Sequence, residues 1–599
     1  MMFNTQKKAI SSAMIVSASL LLLSGCADDG QDGTDGANAY SQSISLKQVA
    51  TYQSGVFDES AAEIVAYDHL NNVTYVVNAH NKKVDVIDNA DIATPVLKSS
   101  IDIATDFANA GILGAVGDAN SVALHNGLIA IAVAAETKTD NGWIAFYKAS
   151  DLTLLSAVEV GALPDMVTFT PEGSKVVAAI EAEPSEDYSV DPEGEIAIID
   201  VTWDGSVLST RLTELNFQAF NLGGERYSEL STDKLVIDGY SATNPGHTAT
   251  IAQAFEPEYV AISEDGSQAF ISLQENNAIA VVNLASKSIE KIIGLGFKDY
   301  SIPGNEMDAS QKDGVNIQNW PVKGIYMPDS IATISYNDKT FILTANEGDD
   351  RQDWLDNVTD QAACEAAGYF FGDDGDGARC IDAVSAKDFY EADNFTLVNS
   401  EGNLFAPVNG GFGEDNELRR LKFSYHTTAK MNAGTEFEKL YAYGGRSFSI
   451  YDAQTGEQVF DSGSFFETKT AQLYGDDFNN DNAENTGDDR SDNKGPEPEA
   501  ITVGQINGHT YAFVGLERMG GVMVYEISNP YSPEFVQYLN NRDVTVEFDE
   551  TNFADAGDLG PEGFDFVPAD KSPNGKPMLI VANEVSGSTT YYQIDVTQF

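Results

Sequence analysis

Six acidic residues recur at one place in a repeating pattern, each just ahead of an alternating apolar run: Glu63, Asp165, Glu258, Asp329, Glu499 and Glu562, with Asn120 in the remaining copy. Each follows a proline or a small residue, as in Pro164-Asp165, Pro257-Glu258, Pro498-Glu499 and Pro561-Glu562. If the copies superpose, these acids meet at one level. Carboxylates that close repel strongly unless a cation or hydrogen-bond donors sit among them. The pattern therefore predicts either a mouth for a metal or a cationic ligand, or acids that each cap backbone N–H groups in their own turn.

A second set of polar residues closes other strands: Asn346-Glu347, Glu517-Arg518 and Asn583-Glu584. Charged loops join them at 346–351, 444–447 and 488–499. Oxygen ligands hold a hard cation and arginine grips an oxyanion. The expected metal set is Asp349, Asp489, Asp492, Glu497, Glu499 and Glu562. The expected oxyanion set is Arg351, Arg446, Arg490 and Arg518. A solvated surface network is the other reading of the same residues. Two further stretches have the oxygen density of calcium loops: Asp373, Asp374 and Asp376 among glycines, and Asp476, Asp477 and Asp481 among asparagines. Neither has the length or the terminal glutamate of an EF-hand. The six histidines are scattered, with no HExxH; there is no P-loop, no dinucleotide fingerprint and no GxSxG nucleophile elbow.

The elements that must position these residues are short strands. Segments 74–78 and 83–88, 128–135 and 143–147, 175–181 and 195–201, 268–274 and 278–284, 339–347, 510–517 and 521–527, and 577–584 and 589–596 alternate with a period of two between Gly, Asn and Asp turns. One small antiparallel sheet cannot cover both of its faces, whereas radial stacking of many can. The prediction is an all-β chain, a β-propeller of seven or eight blades over residues 44–599. The eighth copy would be 421–425, 439–444, 447–452 and 458–461. The fifth copy is expected to lose its outer strands to an insertion at about 349–418. Residues 44–52 are expected to close the ring as an outer strand of the last blade.

Composition agrees with a folded β protein: 42% hydrophobic, 51 glycines, 25 tyrosines and 31 phenylalanines. The formal net charge of −59 excludes binding to a nucleic-acid backbone, which needs a basic face. It fits a protein that meets cations or works in a salty medium. No apolar run of about 18 residues interrupts the body.

Residues 1–25 read as an export signal: Lys7 and Lys8, a short apolar stretch over 9–23, then Leu23-Ser24-Gly25-Cys26 in the form of a lipobox. Cys26 would carry the lipid. Ala27 after it suggests outer-membrane sorting. Residues 26–43 are acidic and glycine-rich, a flexible tether. In an oxidising compartment the two other cysteines, Cys364 and Cys380, are expected to form a local disulfide.

Several stretches also carry a family likeness. Tyr75-Val76-Val77-Asn78 with the strand after it resembles a YVTN-type propeller repeat. Asn346-Glu347-Gly348-Asp349, Gly444-Gly445-Arg446-Ser447, the run 490–499, the run 515–525 and Gly560-Pro561-Glu562-Gly563 together resemble the choice-of-anchor I family. These are exported propeller-like bacterial proteins related to an animal mesenchyme-specific cell surface glycoprotein, and some members are labelled alkaline phosphatases. The resemblance implies a propeller with variable surface anchoring. The expectation is a monomeric, lipid-anchored, calcium-binding envelope protein that meets a ligand or surface partner through an acidic, arginine-containing face. The alternative is a metal-dependent phosphoesterase at that face.

Overall fold

Neighbouring blades determine how each strand is buried. All eight residues of Leu128–Ala135 are buried, because this inner strand has a sheet on both faces. Leu208–Asn216, at the rim of its sheet, alternates between half-buried and exposed instead. The computed structural model describes residues 42–237, 249–373, 377–385, 387, 418–432 and 437–599. Residues 43–597 form one compact unit. The signal, Cys26 and almost all of the tether lie outside the described residues.

Seven four-stranded antiparallel sheets are present among the described residues. Blades 1 to 4 are contiguous, at 65–101, 116–162, 164–216 and 257–294. Blade 5 pairs Ile331–Tyr336 and Lys339–Asn346 with Ser447–Asp452 and Gln458–Asp461. Blade 6 spans 498–539. Blade 7 combines three C-terminal strands, Pro561–Val567, Met578–Asn583 and Ser588–Gln598, with Gln42–Gln53 from the other end of the chain. The innermost strands touch in sequence around a circle, and that of blade 7 touches that of blade 1. This is a closed seven-bladed propeller.

Between each pair of neighbouring blades lies a hydrophobic cluster. Blade 3 shows how: Val176 and Ala178 face blade 2, while Val177 and Ala179 face blade 4. The period of two along one strand feeds two interfaces. At about 1.5–3 kcal/mol for each large aliphatic side chain buried, these interfaces hold the ring together.

Two expectations are corrected. There is no eighth blade among the described residues: Ser447–Asp452 and Gln458–Asp461 are the outer strands of blade 5. Nor has the fifth copy lost those strands. The chain leaves blade 5 after Asn346 and returns at Ser447 to pair along its whole length, Phe341 opposite Asp452 and Asn346 opposite Ser447. Within this excursion Leu440–Tyr443 runs parallel to Val322–Ile325 in a separate three-stranded sheet. Cys364 and Cys380 are joined by a disulfide with Cα atoms 5.6 Å apart. Around it pack Leu355, Val358 and Tyr369 of the insertion and Tyr188 from blade 3.

Candidate functional site

Proline and a register slip together aim the recurrent acids. Pro164, Pro257, Pro498 and Pro561 each open an innermost strand, where the missing N–H disturbs no ladder. The register then jumps at once, between Pro164 and Val167, Pro257 and Val260, Pro498 and Ile501, and Pro561 and Gly563. Such a bulge leaves one residue outside the pleat and re-aims its side chain. In each case the acid is in the bulge. Asn120 occupies a similar slip in blade 2.

Asn120, Asp165, Glu258, Glu499 and Glu562 consequently line one cavity of about 280 Å³ on the propeller axis, joined by Asp329 from just ahead of Ile331–Tyr336. Glu347, Asp349 and Glu517 add three carboxylates from the loops that follow the second strands. Lys494 and Arg518 are the basic residues of the wall. Ile64, Met166 and Tyr259 contribute apolar surface. Glu63 lies beside the wall, next to Glu562 and Glu584.

The basic residues are engaged by carboxylates. Lys494 Nζ lies 3.0 Å from Glu347 Oε1 and 3.1 Å from Glu497 Oε2. Arg490 donates to Glu497 Oε1 at 2.7 Å, and Arg518 to Glu497 Oε2 at 3.2 Å. Arg518 also lies 3.1 Å from Glu517 and donates to Asn482 Oδ1 at 2.7 Å. Glu497 is fully buried, yet these three cations outweigh the cost of burial and hold its carboxyl far below the usual range. The ring acids have no such help. Burial first, then neighbouring carboxylates, raises Glu258, Asp329, Glu499 and Glu562 well above the ordinary value. Burial and Glu183 push Asp165 up to about 7. Burial likewise pushes Glu517 up to about 8, Arg518 opposing it. Glu258, Glu499 and Glu562 each keep an Oε2 that is shielded from solvent and has no hydrogen-bond partner.

The residues expected from the sequence divide accordingly. Asp349, Glu499, Glu562 and Arg518 line the cavity. Glu497 and Arg490 stand behind its wall as a charge pair. Arg446 is buried away from the cavity, donating to Glu467, to the carbonyls of Asp308 and Ser491 at 2.7–2.9 Å, and to that of Asn493. Arg351 is buried against Glu256 at 2.5 Å and the carbonyl of Ala254. Asp489 and Asp492 face Gln311, and Asp492 pairs with Arg420 at 3.2 Å. They do not line the cavity. Asp476 and Asp477 are exposed, and Asp481 accepts from the N–H of Ala483; none of the three joins a group of convergent carboxylates among the described residues. Asp373 accepts from the N–H of Gly377; Asp374 and Asp376 lie outside the described residues.

Sequence reasoning passed over Lys494 and Gln274, which line the cavity, and Glu181, whose carboxyl is raised well above the ordinary value by burial and then by Glu183 and Asp165. Gln274 donates to Glu347 Oε2 at 2.8 Å. Gln274 and Glu181 occupy the strand-ending position already noted at Glu347, Glu517 and Glu584, so extending that rule to every copy would have found both. Lys494 had a weaker signal: a lone lysine inside an acidic loop.

The match to a known family covers blades 1 to 5 and part of blade 6. The choice-of-anchor I domain matches residues 63–530. The chain belongs to the choice-of-anchor I family. Similar proteins include Gigasin-3a of Magallana gigas, 31% identical over 173 residues, covering 28% of this chain and 61% of that protein. The mesenchyme-specific cell surface glycoprotein of Strongylocentrotus purpuratus is 26% identical over 346 residues, covering 54% of this chain and 41% of that one. The chain thus spans less than two thirds of either relative. Among solved structures, hydrazine synthase of Kuenenia stuttgartiensis overlaps 92% of this chain and 99% of its own, with a TM-score of 0.39 and 10% identity. The propeller is established by its strand order and ring closure rather than by that overlap. Choice-of-anchor I membership with this fold supports a surface or secreted propeller protein. Among the described residues no helix is long and apolar enough to cross a membrane.

Proposed function

We propose that this protein is a lipid-anchored propeller of the outer membrane whose axial cavity holds calcium and presents it to a ligand or surface partner. One observation carries the reading: eight carboxylates line a single cavity with only Lys494 and Arg518 among them. The donor set is all oxygen, without histidine or cysteine, which suits a hard cation. Asp329, Glu347 and Glu499 each offer an oxygen within 4.8 Å of the others. That spacing fits ligands about 2.3–2.6 Å from one calcium. Glu499, whose Oε2 is shielded and has no hydrogen-bond partner, is one of this group. The lipobox ending in Cys26 supports the anchor, and Ala27 supports the outer membrane as its destination.

The phosphoesterase alternative asks for several guanidinium groups turned toward a reacting phosphate. Arg351 and Arg446 are committed elsewhere and Arg490 is held by Glu497, so the binding reading is preferred. Elemental analysis of the purified chain, with melting and p-nitrophenyl phosphate turnover followed before and after chelation, tests this. Expected are bound calcium, a lower melting temperature on chelation and no chelator-sensitive turnover. A chain that retains no calcium and melts identically with chelator would overturn the calcium centre. Chelator-sensitive turnover would favour the enzyme.

A further inference from the structure

The ring closes without a covalent bond inside blade 7, where Gln42–Gln53 pairs with Ser588–Gln598, and the C-terminal strands of that blade meet blade 1 beside it. The chain that leaves Gln42–Gln53 crosses this seam on its way to blade 1. The Ser54 N–H donates to the Gly587 carbonyl at 2.9 Å, and that of Asp58 to the Val585 carbonyl at 2.8 Å. The Tyr67 N–H donates to Asp565 Oδ2 at 2.7 Å, joining residues 498 positions apart. The backbones come so close that a Cβ on Gly563 would lie 2.1 Å from the Glu63 carbonyl oxygen. This approach brings together Glu63 from the N-terminal side and Glu562 and Glu584 from the C-terminal side, with one oxygen of each within 4.8 Å of the others.

Three carboxylates at that spacing have little to hold them together. The Ser60 hydroxyl donates to Glu584 Oε1 at 2.7 Å. No lysine or arginine is paired with any of the three among the described ion pairs. This contrasts with the neighbouring group of Glu347, Glu497 and Glu517, where Lys494, Arg490 and Arg518 supply the positive charge. Glu562 Oε2 is shielded from solvent and has no hydrogen-bond partner. A deeply shielded anionic oxygen in a cluster of anions is stable only with a cation or a proton beside it.

We infer that Glu63, Glu562 and Glu584 form a second divalent-cation site, a calcium staple across the ring seam. Glu562 also lines the axial cavity, but Glu63 and Glu584 do not, so the inference rests on the axial reading only through that shared residue. A cation held by all three cross-links the two ends of the propeller and opposes the peeling of Gln42–Gln53 from Ser588–Gln598. The ligands are carboxylates with a hydroxyl close by, and calcium admits such irregular oxygen sets more readily than magnesium does.

The test compares the full chain with Glu584→Gln and Glu499→Gln, using calcium stoichiometry and hydrogen exchange with and without calcium. Glutamine at position 584 keeps an acceptor for Ser60. Glu584→Gln should bind one calcium fewer per chain and lose calcium-dependent protection of the amides in 43–53 and 588–597. Glu499→Gln should lose its calcium from the axial cavity and keep that protection. If Glu584→Gln retains the wild-type stoichiometry and the calcium-dependent protection, the staple is overturned. If Glu584→Gln loses one calcium while Glu499→Gln loses none, the staple stands and the axial centre fails. Glu63→Gln gives the same readouts should Glu584→Gln not fold. Full protection of the seam in chelator at neutral pH would assign the cluster to a bound proton and overturn the staple as well.

Discussion

Glu497 and Glu499 are two residues apart, yet opposite charges surround them. In a regular strand they would share a face. Here Glu497 has a φ of 50° and the bulge after Pro498 breaks the alternation, so one faces Lys494, Arg490 and Arg518 and the other faces the acid ring. Their neutralisation should therefore act in opposite directions. Glu497→Gln leaves three cations without their shared partner and should destabilise by about 3–5 kcal/mol, read from urea denaturation. Glu499→Gln removes one of several repelling carboxylates and should raise the urea midpoint in chelator. A drop for both would mean that the ring is already neutralised without metal. The two residues were legible as acids in a charged loop, but their opposite surroundings were not, because those come from blades far away in sequence.

The insertion is the element that departs most from the repeat, and the Cys364–Cys380 bond is its internal brace. The bonded residues are 16 positions apart, and a loop of that size contributes about 3 kcal/mol in the chain-entropy account. Replacing both cysteines with serine should loosen this lobe alone. Faster hydrogen exchange is expected in 352–381, with the blade strands unchanged; exchange spreading through the blades would show that the lobe supports the ring. The ammonium of Lys138 in blade 2 lies 5.7 Å from the Trp354 ring, so part of the lobe's contact with the body is soft and breakable. The cysteine pair was readable from compartment and spacing. Where the insertion enters was not: the period of two identifies strands but does not say which strands pair, and Lys339–Asn346 finds its partner only at Ser447–Asp452.

The whole chain carries a formal charge of −59, and its propeller buries many carboxyls that prefer a proton. Burial is the leading cause in pushing Asp165, Asp191, Glu195, Asp308 and Asp488 up to about 7 and Glu517 up to about 8. These groups bind more protons folded than unfolded, so stability must fall as pH rises from the ordinary carboxylate range through those values. Glu497 has the opposite sign: its contribution is present at neutral pH and is lost only in strong acid. In chelator the melting temperature should fall between about pH 5 and 8. With calcium the fall should be shallower, since a cation replaces the protons. Calorimetry over this range decides it: a flat or rising profile in chelator would show that the ring acids ionise without cost.

The repeat, the all-β class and the recurrence of the acids follow from local regularities: a period of two, turn residues at fixed offsets, and a proline or small residue ahead of each acid, the proline in four copies starting a strand without an N–H. These need no knowledge of distant residues. The blade count, the fate of Arg446 and Arg351, the pairing of Lys494 with Glu347 and the meeting of Glu63 with Glu562 at the seam depend on the closing of the circle. Closure joins residues hundreds of positions apart, and their distances are set by the packing of seven sheets against one another rather than by anything encoded within a single copy.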